Sequence, residues 1–219
     1  DMTFLNDDYA RAVRSRKDMM KRIFRHYFSE NTKPSLSILN IACGASRDLR
    51  ELFSDQTFTI QVPTRFTLID KSQDAFDFSK KQLTPPPPNT TFTYYCHSVY
   101  DYLKEPSRYN EILKGQDLIY SIGLADYIPA EALQEQTRFF YDLLNKDGRL
   151  IVAHKDSKNY HPLTADWWAD WNFYLRNEDE VIDLFKNSGI KNYSISVELI
   201  IKQDNPTSVS FFPDINEKD

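Results

Sequence analysis

The order of apolar and helical patterns along the chain predicts an α/β fold. We expect a doubly wound, mostly parallel seven-stranded sheet with one antiparallel strand, plus an N-terminal helix. Short apolar runs alternate with amphipathic segments up to Ser188-Gly189, as in repeated strand–helix–strand units. Two further strand-like runs flank Asn205-Pro206, a turn signal that predicts a closing hairpin. A length of 219 residues is enough for one domain with a full hydrophobic core.

The first predicted element is an amphipathic helix over residues 9–28. One face is apolar and the other is basic, and the simpler interpretation of the basic face is a solvated surface. The alternative is a lid, in which Tyr9, Arg14 or Arg16 folds over a bound ligand. Because the chain begins with Asp rather than Met, an excised domain that lacks an N-terminal region is a further interpretation.

The elements of the main domain follow Pro34. The predicted strands lie at 38–42, 64–69, 91–96, 117–122, 149–153, 193–201 and 208–212. The predicted helices lie at 47–53, 72–83, 130–144 and 178–187. Gly148 and Gly189 follow the last two helices, where glycine supplies the left-handed C-cap. The chain thus divides into an N-terminal helix, residues 1–33, and a main domain, residues 34–219.

Composition excludes several functional classes. A net charge of -5 and an isoelectric point near 5.4 argue against a nucleic-acid binder, which usually carries a basic excess. Cys43 and Cys96 are too few for a disulfide framework, so we expect reduced thiols and a cytoplasmic protein. No apolar run approaches the roughly 20 residues that span a bilayer, and no signal peptide is expected. The four histidines lack ligand spacing, which predicts no metal site.

The most informative stretch is the loop after the first predicted strand. An apolar run ends in the small residues Ala42, Cys43 and Gly44, and a helical pattern follows directly. Small residues let a ligand approach the backbone, and a helix N-terminus offers unpaired N–H groups. The second strand ends in Asp70, about 26 residues after Gly44, where a carboxylate can accept hydrogen bonds from both ribose hydroxyls. Together these features predict the nucleoside-binding end of a Rossmann-like sheet.

The same loop favours a nucleoside ligand without a phosphate. A dinucleotide fingerprint would need glycines where Ala42 and Arg47 stand, and neither Gly-Lys-Ser nor Gly-Lys-Thr occurs in the chain. A nucleoside joined to an amino acid fits this loop better.

Over nearly its whole length, the sequence resembles class I S-adenosylmethionine-dependent methyltransferases. Their first motif is matched by Asn40-Ile41-Ala42-Cys43-Gly44-Ala45-Ser46, in which Ala42 and Ser46 replace usual glycines and Asn40 replaces the usual acid. The resemblance implies S-adenosylmethionine as cofactor and S-adenosylhomocysteine as product. It places the ribose on the acid of strand two, adenine after strand three and the methionine part after strand four. The implied cofactor-binding residues are Ala42, Cys43, Gly44, Asp70, Lys71, Ser98, Val99, Ser121, Ile122 and Gly123.

Three segments carry a narrower resemblance. Residues 41–49, 120–129 and 171–180 look like the bacterial methyltransferases that make 3-hydroxypalmitic acid methyl ester. That family pairs Gly-x-x-Asp-Tyr-Leu-Pro with Trp…Tyr-x-Arg-Thr-Glu-Glu, and here Ile128 replaces Leu and Asn177 replaces Thr. The resemblance implies a small-molecule acceptor, with the carboxylate of a fatty or hydroxy-fatty acid as the best single choice.

Methyl transfer from a sulfonium mainly requires that the reacting atoms are aligned and that water is excluded. A carboxylate acceptor is already ionised at neutral pH and needs no base. An amine or a phenol acceptor would need one. The candidate catalytic residues are Tyr127 and His154. The candidate substrate-binding residues are Asp126, Trp168, Trp171, Tyr174 and Arg176.

Each candidate also has a structural interpretation. Asp126 and Tyr127 could be a helix cap and a packing aromatic, and His154 could be a buried structural histidine. Arg176 could pair with an acidic neighbour on the surface, and at least one tryptophan is expected to pack in the core. Two functional alternatives stay open: a methyltransferase for an amine or a phenol, and a non-catalytic regulatory domain that binds S-adenosylmethionine.

Overall fold

The computed structural model describes residues 8–157, 172–191, 193–199 and 210–217. The helices are α1 (Asp8–Glu30), α2 (Arg47–Ser54), α3 (Gln73–Gln82), α4 (Val99–Lys104), α5 (Pro106–Leu113), α6 (Ala130–Tyr141) and α7 (Glu178–Lys186), with a 3₁₀ turn at Ala125–Tyr127. The strands are β1 (Leu36–Ile41), β2 (Thr64–Asp70), β3 (Thr90–Cys96), β4 (Gln116–Ser121), β5 (Leu144–Val152), β6 (His154–Lys155), β7 (Tyr193–Leu199) and β8 (Ser210–Glu217). None of the helices in these ranges combines the length and the apolarity that a membrane span requires.

Five parallel strands, in the order β3-β2-β1-β4-β5, position the loops that matter for function. In the central strand β1, Ile38 pairs with Phe66 of β2 on one side and with Leu118 of β4 on the other. The chain order reverses between β1 and β4, so the loops that follow these strands diverge and leave a crevice. The fold is thus an α/β Rossmann-like fold with a five-stranded parallel sheet.

β8 continues this sheet beyond β5 and runs antiparallel to β5, β6 and β7. The described strands number eight, whereas the sequence predicted seven. The additional strand is β6, which has two residues and is too short for a hydrophobic period to reveal. The predicted turn at Asn205-Pro206 lies outside the described residues.

Helices cover both faces of the sheet, and the sheet separates the core into two clusters. On one face, α1, α2 and α3 pack against the strands through residues such as Phe24, Leu49 and Phe76. On the other face, α4 to α7 pack around Tyr102 and Phe140. A parallel sheet buried on both faces needs apolar side chains on both, which is why β1 and β4 are almost entirely buried.

The second half of α1 belongs to this core, since Met20 and Phe24 are fully buried. Its basic side is not simply solvated, so the solvated interpretation is wrong in part. Lys17 and Lys21, one helical turn apart, both bind Glu51 of α2. This helix therefore docks by an apolar stripe and by a charged edge.

Two short helices, α4 and α5, were not predicted. α4 has six residues and begins with a capping box. The Ser98 side chain accepts the backbone N–H of Asp101, and the Asp101 side chain accepts the backbone N–H of Ser98. Helices of this length show too few turns for an apolar period to be recognised. The capping residues were the available signal.

The predicted boundary between the fourth long helix and strand five is also wrong. The helix predicted over 130–144 ends at Tyr141, and β5 begins at Leu144 instead of residue 149. The predicted glycine cap at Gly148 lies inside β5, and Asp147 has the positive φ, at 61°. The pairing of β5 with β4 is irregular at this point, so a bulge absorbs the turn residues.

Candidate functional site

The loop after β1 makes a series of left-handed turns. Ala42, Gly44 and Ser46 have φ values of 54°, 50° and 49°. This conformation costs a non-glycine residue about 1–2 kcal/mol. The loop is held by the Cys43 N–H, which donates to the Ile69 carbonyl at 3.0 Å, and by the Ser46 N–H, which donates to the Cys43 carbonyl at 2.9 Å. Ala42 and Ser46 therefore keep the backbone shape for which glycine is the usual residue.

Asp70, at the end of β2, fixes this loop from the neighbouring strand. Its Oδ2 accepts the Gly44 N–H at 2.7 Å, and its Oδ1 accepts the Ser72 N–H at 2.9 Å. Each carboxylate oxygen keeps a further lone pair, so both can still accept a hydroxyl from a ligand. A Cβ added to Gly44 would meet no atom within 4 Å, which leaves open space in front of the loop. The two residues predicted to share one ligand are thus in direct contact.

A cavity of about 280 Å³ opens beside this loop, at the carboxyl ends of the parallel strands. Its lining residues are Ala42, Asp70, Lys71, His97, Ser98, Val99, Tyr100, Leu124, Tyr127 and Ile128. Four loops contribute to it, those after β1, β2, β3 and β4. Asp70, Lys71 and Ser98 make one part of the wall polar, and most of the other lining residues are aromatic or apolar.

Four of these lining residues were not predicted: His97, Tyr100, Leu124 and Ile128. His97 directly follows β3, and its Nδ1 lies 3.2 Å from the hydroxyl of Tyr109. The available signal was its position beside Ser98, where the resemblance placed adenine. Ser98 itself is partly committed, because its hydroxyl accepts the Tyr100 N–H at 3.3 Å as the N-cap of α4.

The structure does not place the other predicted cofactor residues on the cavity wall. The Ser121 hydroxyl donates to the Ile41 carbonyl at 3.0 Å and is buried. Burial raises the pKa of the Cys43 thiol to about 12, so it stays protonated at neutral pH. Ile122 offers its carbonyl to a side chain from α1, and Gly123 is exposed. Gly44 likewise does not line the cavity, and the cofactor contacts of all the predicted residues remain predictions.

Asp126, next to Tyr127 of the cavity wall, is the centre of a buried polar cluster. Its Oδ2 accepts Arg16 Nη1 at 2.8 Å, and its Oδ1 accepts the Lys155 N–H at 3.0 Å. His154 Nδ1 lies 3.3 Å from the same Oδ1. Burial alone would raise the pKa of Asp126, but the surrounding positive charges lower it to about 2. Asp126 is therefore an ionised carboxylate that is held by protein groups.

His154 has both ring nitrogens engaged in this cluster. Nδ1 lies 2.8 Å from the Lys155 carbonyl, and Nε2 lies 3.0 Å from Arg176 Nη1. Since the guanidinium can only donate, Nε2 is the acceptor and the proton of the neutral ring is on Nδ1. Burial lowers the pKa of His154, which keeps the ring neutral. Its predicted role as a base would require Arg176 to leave Nε2.

Arg176 is buried, so the surface ion pair considered from the sequence is wrong. Besides His154, its guanidinium donates to the Ala125 carbonyl at 3.1 Å and to the Ile128 carbonyl at 2.6 Å. Ala125 is the first residue of the 3₁₀ turn that carries Tyr127, and Ile128 is the residue after the turn. Arg176 therefore fixes the backbone that follows β4.

Lys155 was not predicted, and no sequence pattern marks it. It is buried, with its Nζ 3.4 Å from the ring centroid of Phe173 and 4.0 Å from Oδ2 of Asp126. Burial lowers the pKa of Lys155 to about 7. A lysine with this pKa loses its positive charge as the pH rises through about 7, so the net charge of the cluster changes near neutral pH.

Tyr127 and Tyr174 are the accessible aromatic side chains near this cluster. Tyr127 is 40% exposed, and its ring centroid lies 5.2 Å from that of Phe173. Burial and the neighbouring Asp126 raise the pKa of the Tyr127 phenol. The backbone N–H of Tyr174 donates to the Asp126 carbonyl at 2.9 Å. The predicted substrate residues outside the described ranges are Trp168 and Trp171.

A second buried carboxyl group, that of Asp48, is linked through Tyr120 to Asn40, which stands where an acid is usual. The Asn40 side-chain amide donates to the Tyr120 hydroxyl at 2.6 Å, and this hydroxyl donates to Asp48 Oδ2 at 2.8 Å. Burial raises the pKa of Asp48. Within the described ranges, no group of three or more His, Cys, Asp or Glu side chains is arranged to hold a metal ion.

No protein-family model and no curated protein sequence matches the chain significantly. Solved structures do match it. A possible exported protein from Bordetella parapertussis superposes with a TM-score of 0.68 at 15% identity, over 94% of this chain and 68% of that one. Magnesium protoporphyrin IX methyltransferase from Synechocystis, with bound S-adenosylhomocysteine, gives 0.65 at 11% identity over 99% and 91%. A methyltransferase from Methanosarcina mazei, dependent on S-adenosylmethionine, gives 0.58 at 12% identity over 90% and 97%. The chain therefore has the fold of S-adenosylmethionine-dependent methyltransferases.

Proposed function

We propose that this chain is an S-adenosylmethionine-dependent methyltransferase that acts on a small molecule. The observation that carries the proposal is the contact between Asp70 and the Gly44 backbone beside the cavity. It joins a ribose-accepting carboxylate to an open backbone turn, with no lysine-containing phosphate loop. The fold of the matched structures supports the same conclusion.

In this proposal the described residues fit the cofactor in three parts. Asp70 accepts the ribose hydroxyls, and the wall formed by His97, Val99 and Tyr100 contacts adenine. The methionine part lies toward the loop after β4, residues 121–123, as the resemblance implies. When bound, the cofactor supplies an electrophilic methyl group, and the protein's own task is to orient it and to exclude water.

For the acceptor we propose a carboxylate, with a fatty or hydroxy-fatty acid as the best choice. Of the two candidate bases, His154 has its Nε2 engaged by Arg176, and Tyr127 has a raised pKa and is a poor base at neutral pH. A carboxylate needs no base, because it is already ionised at neutral pH and could accept the methyl group that a bound cofactor would supply without first losing a proton. Leu124, Tyr127 and Ile128 offer an apolar wall for an acyl chain.

The N-terminal helix completes the proposed domain organisation. We assign residues 34–219 to the methyltransferase domain and residues 1–33 to a helix that covers it. The buried contact of Arg16 with Asp126 supports this assignment, since it reaches the loop after β4 from α1.

A transfer assay with labelled S-adenosylmethionine tests the activity and the acceptor class together. We expect label in 3-hydroxy-fatty acids and little in amines or phenols of similar size. Tyr127→Phe should keep carboxylate methylation within about threefold, because no proton is removed from the acceptor. Tyr94→Phe, a change on β3 outside the cavity wall, is the matched control.

Two other outcomes would separate the alternatives. Label in an amine or a phenol, lost in Tyr127→Phe, would establish a base-dependent methyltransferase instead. Binding of S-adenosylhomocysteine without transfer to any acceptor would support the non-catalytic regulatory domain.

A further inference from the structure

Arg16 of α1 reaches the loop after β4 with two side-chain hydrogen bonds. It is 2% exposed and lies three and four residues before the buried Met19 and Met20, on the apolar stripe of the helix. A guanidinium on such a stripe is tolerated where a buried carboxylate balances its charge. Its partners therefore indicate why the position is not apolar.

Two partners of Arg16 lie in one short segment, residues 122–128. Nη1 donates to the Ile122 carbonyl at 3.1 Å and to Asp126 Oδ2 at 2.8 Å. One side chain thus ties the start of the segment to its 3₁₀ turn. The two contacts span Gly123, which is the residue of this segment with the greatest backbone freedom.

The opposite side of the same segment is held by later parts of the chain. The Lys155 N–H binds Asp126 Oδ1, and Arg176 binds the carbonyls of Ala125 and Ile128. Leu124, Tyr127 and Ile128 of this segment line the cavity, whereas Arg16 and Asp126 do not. The pair therefore acts on the cavity only through the backbone of residues 122–128.

We propose that Arg16 and Asp126 are positioning residues, which hold residues 122–128 in the conformation that forms one wall of the cofactor and acceptor site. This inference rests on the proposed function. Through Arg16, α1 then contributes to the binding site, although the Arg16 side chain touches neither the cofactor nor the acceptor. The positioning is polar and geometric, so a lysine at residue 16 should restore only part of it.

The test uses the full chain with Arg16→Met, Arg16→Lys and the control Lys17→Met, whose target is the neighbouring ion pair with Glu51. S-adenosylhomocysteine affinity is measured by calorimetry, and amide hydrogen exchange is measured at Tyr127 and Ile128. Both amides donate within the turn, to Leu124 and Ala125.

We expect Arg16→Met to weaken S-adenosylhomocysteine binding at least tenfold and to speed exchange at both amides. The affinity and the exchange rates of Arg16→Lys should lie between those of Arg16→Met and wild type. If Arg16→Met does not fold, Arg16→Lys serves as the test variant. Lys17→Met should stay within twofold. Unchanged affinity and exchange in a folded Arg16→Met or Arg16→Lys would overturn the proposal. Absence of binding by the wild type would refute the proposed function, and the exchange data would still decide whether Arg16 holds the segment.

Discussion

Asp48 and Asp126 are both buried, and both lie on the first turn after a central parallel strand, yet their carboxyl groups differ. Nearby positive charge, above all that of Arg16, holds the pKa of Asp126 at about 2 against the effect of burial. Asp48 accepts a hydrogen bond from Tyr120, and its burial raises its pKa. Similar burial has therefore produced one carboxylate that is fixed as an anion and one whose anion is disfavoured.

The difference shows what each side of the site is built to do. Around Asp126, an ion pair with Arg16 joins α1 to the loop after β4, and the Lys155 N–H binds the same carboxylate from β6. Arg176, in the stretch before α7, binds the backbone carbonyls of Ala125 and Ile128. Around Asp48, neutral hydrogen bonds join α2 to β1 and β4, directly behind the first loop. Both groups join separate elements, but charged partners hold Asp126 whereas uncharged side chains, Asn40 and Tyr120, connect Asp48 to the sheet.

The largest expected effect is on the Asp126 side. Asp126→Asn should lower the free energy of unfolding at pH 7 by about 3–5 kcal/mol, because it leaves buried cations without their counter-charge. In the wild type, the folded pKa near 2 lies below the ordinary value of 3.8, so this contribution is present above pH 4 and is lost as pH falls toward 2. The loss should be about 2 kcal/mol.

Urea unfolding of both proteins between pH 2 and pH 7 measures this difference. Asp126→Asn should show a weaker fall in stability on acidification than the wild type. Equal slopes in the two proteins would contradict an ion-paired Asp126.

The smaller effect is expected at Asp48. Asp48→Asn keeps an acceptor for the Tyr120 hydroxyl and removes a charge whose burial is unfavourable, so stability at pH 7 should change by less than about 1 kcal/mol. The raised folded pKa means that the wild type is favoured by protonation and loses stability as pH rises above about 4. The variant should lack this loss.

Thermal unfolding of Asp48→Asn and wild type from pH 4 to pH 7 tests the comparison. The thermal stability of the variant, relative to that of the wild type, should increase as pH rises. A variant that instead falls behind by 2 kcal/mol or more would show that the Asp48 anion is required, and that the two aspartates are alike.

The sequence was sufficient for the parallel part of the fold and for one side of the site. Apolar runs and helical periods located the five parallel strands, since each buries enough side chains to leave a pattern. Asp70 and Gly44 could be connected because the end of one parallel strand lies beside the end of the next. The short helix α4 and the bulge in β5 left no such pattern.

The cluster around Asp126 could not be assembled in the same way. Its members come from residues 16, 126, 154, 155 and 176, and no spacing rule links them. Arg176 and His154 were named from the sequence, but their burial and the hydrogen bond between them were not predicted. Both depend on how the stretch before α7 packs against β6. Lys155 follows His154 in a two-residue strand, and only the fold shows that it is buried.

The most direct test of the central claim is calorimetric titration of the chain with S-adenosylhomocysteine, beside Asp70→Asn and the control Asp74→Asn. Asp74 is an exposed carboxylate on the first turn of α3, four residues farther along the chain. We predict binding by the wild type and by Asp74→Asn, with a loss of about 10- to 100-fold in Asp70→Asn, as for a lost hydrogen bond to a charged group. Binding by all three proteins with equal affinity would contradict the site at Asp70, and absence of binding by the folded wild type would contradict the cofactor itself.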